Sequence, residues 1–293
     1  MIIVKIHAGI GNQMFQYAMG RSLALKRRTK LRLDDRHYTR YTDRRYELWR
    51  FHISAPVLGT LSKKLIGSRL IHSPRYAPFQ HLLKTIGSPL VAEYAGDTEQ
   101  GFDEGLSALG DNLYLDGFWQ SELYFSEIRD LLLKEFTFKK APSPENAKCL
   151  STIATHNSVC VHVRRGDYVS TETGRTRHGV CSLDYYHAAA AYLEKHVDNL
   201  SYFIFSDDPD WVAATLQGLK SMTLVSHNVR KDDAEDLRLM MNCKYFIIAN
   251  SSFSWWAAWL GQFEGKIVVA PKRWYVSTTQ SEKDLVPQSW IRL

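Results

Sequence analysis

Ser158-Val-Cys-Val-His-Val-Arg-Arg-Gly-Asp167 begins as an apolar strand and ends as a charged turn. Ser158 to Val163 is short and apolar, the pattern of a buried strand. Arg164 and Arg165 then interrupt the apolar run, Gly166 permits a turn, and Asp167 adds an acid. The same step recurs downstream. Strands are expected at Tyr202 to Phe205, Met222 to Val225, Tyr245 to Ala249 and Lys266 to Val269. Helices are expected at Leu183 to His196, Asp210 to Gln217, Asp233 to Met241 and Ser254 to Leu260. Short strands alternating with helices predict a parallel sheet with helices on both faces. In such sheets ligands bind beyond the carboxyl ends of the strands.

Upstream, Ala141-Pro-Ser-Pro144 is the candidate linker, and two domains are expected over residues 1–145 and 155–293. The first opens with a buried strand at Ile2 to Ile6, a turn at Gly9-Ile-Gly11-Asn12 and a helix at Gln13 to Arg27. A second strand is expected at Lys30 to Leu33 and another at Asn112 to Asp116. Ser121 is the expected cap of a helix reaching Glu135. The stretch from 35 to 110 is irregular and rich in Arg, Tyr and His. It is where acceptor contacts are expected. The chain has no internal repeat and no low-complexity segment.

The 293 residues are 45% hydrophobic, which supports a substantial core and excludes a disordered chain. A net charge of +6 is diffuse. It suits an anionic ligand or an anionic membrane surface, and it lacks the dense basic tract of a nucleic-acid partner. Cys149, Cys160, Cys181 and Cys243 are scattered, with no CxxC pair and no zinc-like spacing. A reduced, cytoplasmic setting is the expectation. The apolar run at Met1 to His7 is too short for a signal peptide. Tyr245 to Leu260 is interrupted by Asn250, Ser251, Ser252 and Ser254, so it does not read as a membrane span. Any membrane contact is expected to be peripheral, on the cytoplasmic face.

Four polar clusters fall where strands should end. Arg164 and Arg165 offer guanidinium forks for a diphosphate; the alternative is a surface arginine bonded to Asp167. Phe205-Ser-Asp-Asp-Pro-Asp210 places Asp207 and Asp208 either against a guanine edge or ribose, or as helix caps. Asp208 and Asp210 also form an Asp-x-Asp that would hold a metal in a metal-dependent sugar transferase. Asn250-Ser-Ser-Phe-Ser-Trp-Trp256 opens a helix whose free amides favour an anion, with the two tryptophans read as core. Gly9-Ile-Gly11 resembles part of a dinucleotide fingerprint but lacks its third glycine. An oxidoreductase reading leaves only Asp34 or Asp35 as ribose partner. His7 reads as a structural histidine.

Gly9-Ile-Gly-Asn-Gln-Met-Phe-Gln-Tyr-Ala18, His162-Val-Arg-Arg-Gly-Asp167 and Ile248-Ala-Asn-Ser-Ser-Phe-Ser-Trp-Trp256 together resemble the bacterial α-1,2-fucosyltransferases of glycosyltransferase family 11. The resemblance implies a GT-B-like α/β fold of two Rossmann-like domains facing a cleft, the first on the acceptor side and the second binding the nucleotide sugar. It implies a GDP-β-L-fucose donor, inversion at the anomeric carbon, and no obligatory metal or other cofactor. The implied acceptor is a galactose-terminated oligosaccharide or lipid-linked glycan of a bacterial surface polysaccharide. Arg164 matches the arginine that holds the β-phosphate, with His162 and Arg165 supporting the loop and Asp167 beside it. Asp207 and Asp208 match the guanine-facing segment, and Ser252, Phe253 and Ser254 the phosphate-side loop. Gly11 and Asn12 fall where the N-terminal loop meets the sugar. Glu172 occupies the place of a proton-transferring glutamate in α-1,6 relatives.

Overall fold

Ile2, Ile3 and Val4 have no exposed surface, because β1 (Ile2–Lys5) runs inside a parallel sheet. The computed structural model describes residues 1–39, 44–59, 93–96, 101–228, 232–276 and 281–293. The irregular stretch from 35 to 110 therefore lies partly outside the described residues. β1 pairs with β2 (Leu31–Asp34) on one side and with β4 (Leu113–Asp116) on the other, and β3 (Glu93–Gly96) completes the order β2-β1-β4-β3. Helix α1 (Ile10–Lys26) returns along β1. A Cβ on Gly20 would lie 2.3 Å from a Val4 methyl, so only glycine lets the helix approach this strand so closely.

The second sheet has the order β10-β9-β8-β5-β6-β7, all parallel. Its strands are β5 (Asn157–Val163), β6 (Leu200–Ser206), β7 (Met222–Val225), β8 (Tyr245–Ile247), β9 (Val268–Ala270) and β10 (Ile291–Arg292). From β5 the chain steps outward to β6 and β7, then returns to lay β8 on the other side of β5. The boundary between β5 and β8 is thus the topological switch point, where such sheets open a ligand crevice. Trp255 and Trp256 are fully buried and pack with Trp259 and Trp290, the core role expected of them.

The chain divides into two compact units: Met1–Lys139 with Lys283–Leu285, and Lys140–Glu282 with Val286–Leu293. Residues 146–154, left between the expected domains, lie in a helix of the second unit. That helix, Pro144–Thr155, is capped by Ser143, whose hydroxyl accepts from the Asn146 amide at 3.2 Å. Asn146 is buried and bonded to Asn228, which ties the helix to the second unit.

The helix expected from Ser121 to Glu135 is broken. Ser121 does cap it, but only a 3-10 turn at Glu122–Tyr124 follows, then another at Ser126–Ile128, before a helix at Arg129–Glu135. Phe125 sits between the turns at φ −144°, outside helical space, and buries its ring 6.0 Å from that of Phe15. Burial of that ring overrides local helix propensity. Among the described residues no helix is long and apolar enough to cross a membrane.

Candidate active site

The carboxyl end of β5 delivers Arg164 and Arg165 beside the switch point. Gly166 then opens a short helix, Gly166–Ser170. A Cβ on Gly166 would lie 2.4 Å from an Asp207 carboxylate oxygen, so glycine allows the turn to press against the end of β6. Asp207 takes the Arg165 amide at 2.9 Å and pairs with Arg164 Nη1 at 2.9 Å. Arg164 Nη2 reaches Asp167 Oδ1 at 2.5 Å, and the guanidinium carbon stands 5.4 Å from the Tyr168 ring centre. Burial opposes the charge of Arg164, but Asp207 and Asp167 hold it above the ordinary arginine value. The structure therefore contains the Arg164–Asp167 bond weighed as the alternative in the sequence, with a second carboxylate added.

Arg165 has a different role. Its Nε bonds Asp208 Oδ2 at 3.1 Å, and its guanidinium lies 4.0 Å from the Trp211 ring centre. Asp208 Oδ1 caps the helix Pro209–Thr215 by accepting from the Trp211 amide at 3.2 Å. Both oxygens of Asp208 are thus engaged, which leaves the Asp208–Asp210 pair poorly suited to a shared cation. Among the described residues no group of three or more His, Cys, Asp or Glu is arranged to hold a metal ion. Asp34, a ribose partner in the oxidoreductase reading, is almost fully buried and held by Arg36 and the Tyr114 hydroxyl.

The other wall of the crevice follows β8. Ser251 caps the helix Ser252–Leu260, its hydroxyl taking the Phe253 amide at 3.4 Å, and no acid occupies the first turn. Ser254 is fully buried and turned back onto the Ala249 and Ser251 carbonyls. Ser252 and Phe253 are partly exposed, and the Phe253 ring lies 5.7 Å from that of His162. Burial first, and the Arg164 charge second, pull the His162 pKa down to about 3, so its imidazole is neutral.

Asn250 is a site residue that sequence reasoning passed over. It is buried, its carbonyl accepts from the Tyr168 hydroxyl at 3.0 Å, and its Nδ2 bonds the His178 and Trp274 carbonyls at 2.9 and 3.0 Å. Tyr168 stacks on His178 with ring centres 4.7 Å apart. These contacts pin the strap that leaves β5, including a π-helical turn at Gly174–His178, against the end of β8. An asparagine before a Ser-rich cap was the only sequence signal. Glu172 lies on this strap with its side chain in solvent.

Gly11 and Asn12 belong to the first unit. Gly11 is buried within α1, and Asn12 Oδ1 accepts from Gln120 Nε2 at 2.7 Å. The rest of Gly9 to Ala18 is accounted for by packing. Gln13 and Gln16 are fully buried: Gln13 bonds the Ala8 and Arg45 carbonyls and the Glu47 amide, and Gln16 bonds the His7 amide and the Gly117 carbonyl.

Residues 93–293 match glycosyl transferase family 11. The chain belongs to that family. As a family 11 member it is a glycosyltransferase, and the match takes in all of the second sheet while beginning after Gly9 to Ala18. An α-1,2-colitosyltransferase of Escherichia coli is 34% identical over 100% of this chain and 99% of its own length. The O-antigen biosynthesis glycosyltransferase WbnK of Escherichia coli is 32% identical over 98% of this chain and 99% of its own. The galactoside 2-alpha-L-fucosyltransferase Sec1 of Mus musculus is 26% identical over 49% of this chain and 41% of its own. Among solved structures, a point mutant of Arabidopsis thaliana FUT1 in complex with GDP superposes with a TM-score of 0.55, over 99% of this chain and 75% of its own, at 12% identity. That likeness concerns the fold, a GT-B-like pair of parallel α/β units.

Proposed function

We propose that this family 11 enzyme transfers L-fucose from GDP-β-L-fucose to the 2-hydroxyl of a terminal galactoside, with inversion, in the synthesis of a bacterial surface glycan. The observation that carries the reading is Arg164. It stands at the carboxyl end of β5, at the switch point, braced by Asp207 and Asp167. Breaking the sugar–diphosphate bond builds negative charge on the β-phosphate and positive charge at the anomeric carbon. Arg164 and the Ser252 amide at the helix start stabilise the first of these, and losing one such donor costs about 100- to 1,000-fold in rate.

Asp167 is the exchangeable partner. It is half exposed, whereas Asp207 is buried deeper and also holds the Arg165 amide. The phosphate therefore replaces Asp167 on Nη2 while Asp207 keeps the fork aimed. Arg165 braces the loop through Asp208 and Trp211, and His162 supports it. The guanine lies along the segment after β6, at Asp207 and Asp208, and the first unit, with Gly11 and Asn12 in its leading turn, serves the acceptor. The reading needs no metal, because the guanidinium and the helix amides neutralise the diphosphate.

The name of the colitosyltransferase relative supports a second donor, a nucleotide-linked colitose, at the same site. Incubation of the protein with GDP-fucose and with GDP-colitose against a panel of galactosides, with the new linkage read by NMR, separates the two. A product linked elsewhere than the 2-hydroxyl, or none from either donor, sinks the assignment.

A further inference from the structure

Within the second unit, one side chain bridges the two strand ends of the switch point. Tyr168 lies in the short helix after β5, one residue beyond Asp167. The Arg164 guanidinium carbon stands over its ring at 5.4 Å, inside the roughly 6 Å at which a cation is attracted to a π face. The Tyr168 hydroxyl donates to the Asn250 carbonyl at 3.0 Å. Asn250 follows β8 and stands two places before Ser252, where the next helix begins. β5 and β8 are paired neighbours. Tyr168 therefore touches the arginine that follows one strand and the backbone that follows the other.

Both ends of this tie are fixed. The Tyr168 ring stacks on His178 with the ring planes 7° apart. A Cβ on Gly174 would lie 2.7 Å from the Tyr168 Cα, so the strap presses directly on the backbone that carries the ring. Asn250 is buried, its Nδ2 holds the His178 and Trp274 carbonyls, and its Oδ1 accepts from Cys181 Sγ at 3.7 Å. Burial raises the Tyr168 pKa against the opposing pull of Arg164, so the phenol keeps its proton and remains a donor. Arg164 is held less evenly. Its charged partners among the described residues are Asp207 and the more exposed Asp167. Once a phosphate takes the place of Asp167 on Nη2, one ion pair through Nη1 remains, and a single pair lets a guanidinium swing. The Tyr168 ring is the surface against which it then rests.

We propose that Tyr168 is a positioning residue for the diphosphate: its ring keeps the Arg164 fork aimed, and its hydroxyl sets the spacing between that fork and the Ser252 amide. The role rests on the glycosyl-transfer reading above, in which both groups stabilise the leaving β-phosphate. It is exercised through Arg164 and Asn250, not on the sugar. Charge on the phosphate grows as the bond to the sugar breaks, so a misaimed fork costs more in the transition state than in the ground state. The loss should therefore fall on kcat more than on the donor KM. The two parts of the side chain can be removed separately. Phenylalanine keeps the ring and gives up the bond to Asn250, whereas leucine gives up both.

The test compares wild type with Tyr168→Phe and Tyr168→Leu, each alone and combined with Arg164→Ala. Transfer from the active GDP-sugar to a galactoside is measured as kcat and donor KM, beside the melting temperature. Tyr168→Leu should lower kcat about 100-fold, the cost of a misplacement of about 1 Å. Tyr168→Phe should lower it about 2- to 10-fold, the worth of one hydrogen bond, with the melting temperature of wild type. In the Arg164→Ala background the leucine change should cost at most a few-fold more, because the group it aims is gone. Three results overturn the role. A kcat for Tyr168→Leu within a few-fold of wild type means that the ring aims nothing. The full loss repeated on top of Arg164→Ala makes Tyr168 a structural residue that acts independently of Arg164. An unchanged kcat for Tyr168→Phe removes the tie to the Ser252 amide. If Tyr168→Leu does not fold, Tyr168→Phe decides: a kcat loss at the wild-type melting temperature upholds the role, and a loss that follows the melting temperature makes it structural. Failure of the wild-type protein to transfer sugar from any GDP-sugar is a different outcome, and removes the glycosyl-transfer reading along with the positioning role.

Discussion

The turn after β1 and the turn after β5 occupy equivalent places, each at the carboxyl end of a strand beside the switch point of a parallel sheet. They are held by opposite chemistry. After β1 the chain turns through Ala8, at φ 63°, a conformation that an alanine adopts only under constraint. The constraint is neutral: Gln13 and Gln16 reach out of α1 to hold the Ala8 carbonyl and the His7 amide. After β5 the turn is held by charge, with Asp207, Asp167 and Asp208 on Arg164 and Arg165. Buried amide bonds are indifferent to an arriving anion. On the proposed reading, the half-exposed Asp167 yields its place on Arg164 to a phosphate, since so exposed an ion pair is weak. On the proposed reading, one turn is scaffold and the other responds to ligand.

Removing the charge should break the second turn's function and leave its fold. Arg164→Ala should lower transfer about 100- to 1,000-fold, with the melting temperature retained. Arg164→Lys keeps the charge but loses the two-pronged grip, so the loss should fall on kcat more than on GDP affinity. Steady-state kinetics beside a GDP titration checks both. A melting temperature that drops in step with activity would make Arg164 a structural partner of Asp167 and nothing more.

Removing an amide clamp should do the reverse. Gln16→Ala leaves the His7 amide and the Gly117 carbonyl without this partner in a buried setting, at a cost of about 1–3 kcal/mol. Denaturant titration should show that loss, while activity per folded molecule changes less than for Arg164→Ala. The larger activity loss in Gln16→Ala would mean that the first turn is not mere scaffold.

A buried carboxyl in the second unit sharpens the contrast in how charge is used. Burial, above all, raises the Asp236 pKa to about 7 from 3.8; Asn228 lowers it and the neighbouring Asp233, Asp232 and Glu235 raise it further. A carboxyl that binds its proton more tightly when folded stabilises the fold at low pH and loses that contribution as pH rises from about 4 to about 7. Asp236→Asn keeps an acceptor for Asn228 and should therefore raise the melting temperature at pH 8 and flatten its dependence on pH. Equal melting curves for the two proteins at pH 8 would mean that Asp236 is solvated there.

The smallest expected effect is none. Treatment with EDTA should leave transfer unchanged, because the proposed site neutralises the diphosphate with Arg164 and helix amides. Loss on chelation, restored by Mn²⁺ or Mg²⁺, would move the chemistry to a metal-dependent mechanism.

Much of the second unit was legible. Strands such as β6 and β7 and the helix at Asp233–Met240 lie within a residue or two of where apolar patterning puts them, because their burial follows a local period. The broken helix after Ser121 was not legible, because the break at Phe125 depends on a ring more than a hundred residues earlier in the chain. The surroundings of His7 were not legible for the same reason. Nothing local distinguishes a histidine with a satisfied ring from one whose Nε2 is buried beside Asp116.

Local chemistry therefore decided what kinds of group arrive at each strand end: two arginines after β5, an Asp pair after β6, a Ser-rich cap after β8. Those motifs also carried the resemblance that family membership bears out. Tertiary structure alone decided which partners the groups take. Arg165 meets Asp207 across 42 positions, Gln16 meets Gly117 across 101, and His7 meets Asp116 only because β1 and β4 are neighbours in one sheet. A side chain's ionisable group is written in its own residue. Its hydration, its protonation and its freedom to exchange partners depend on what the folded chain places around it, and those are the properties that separate a catalytic group from a structural one.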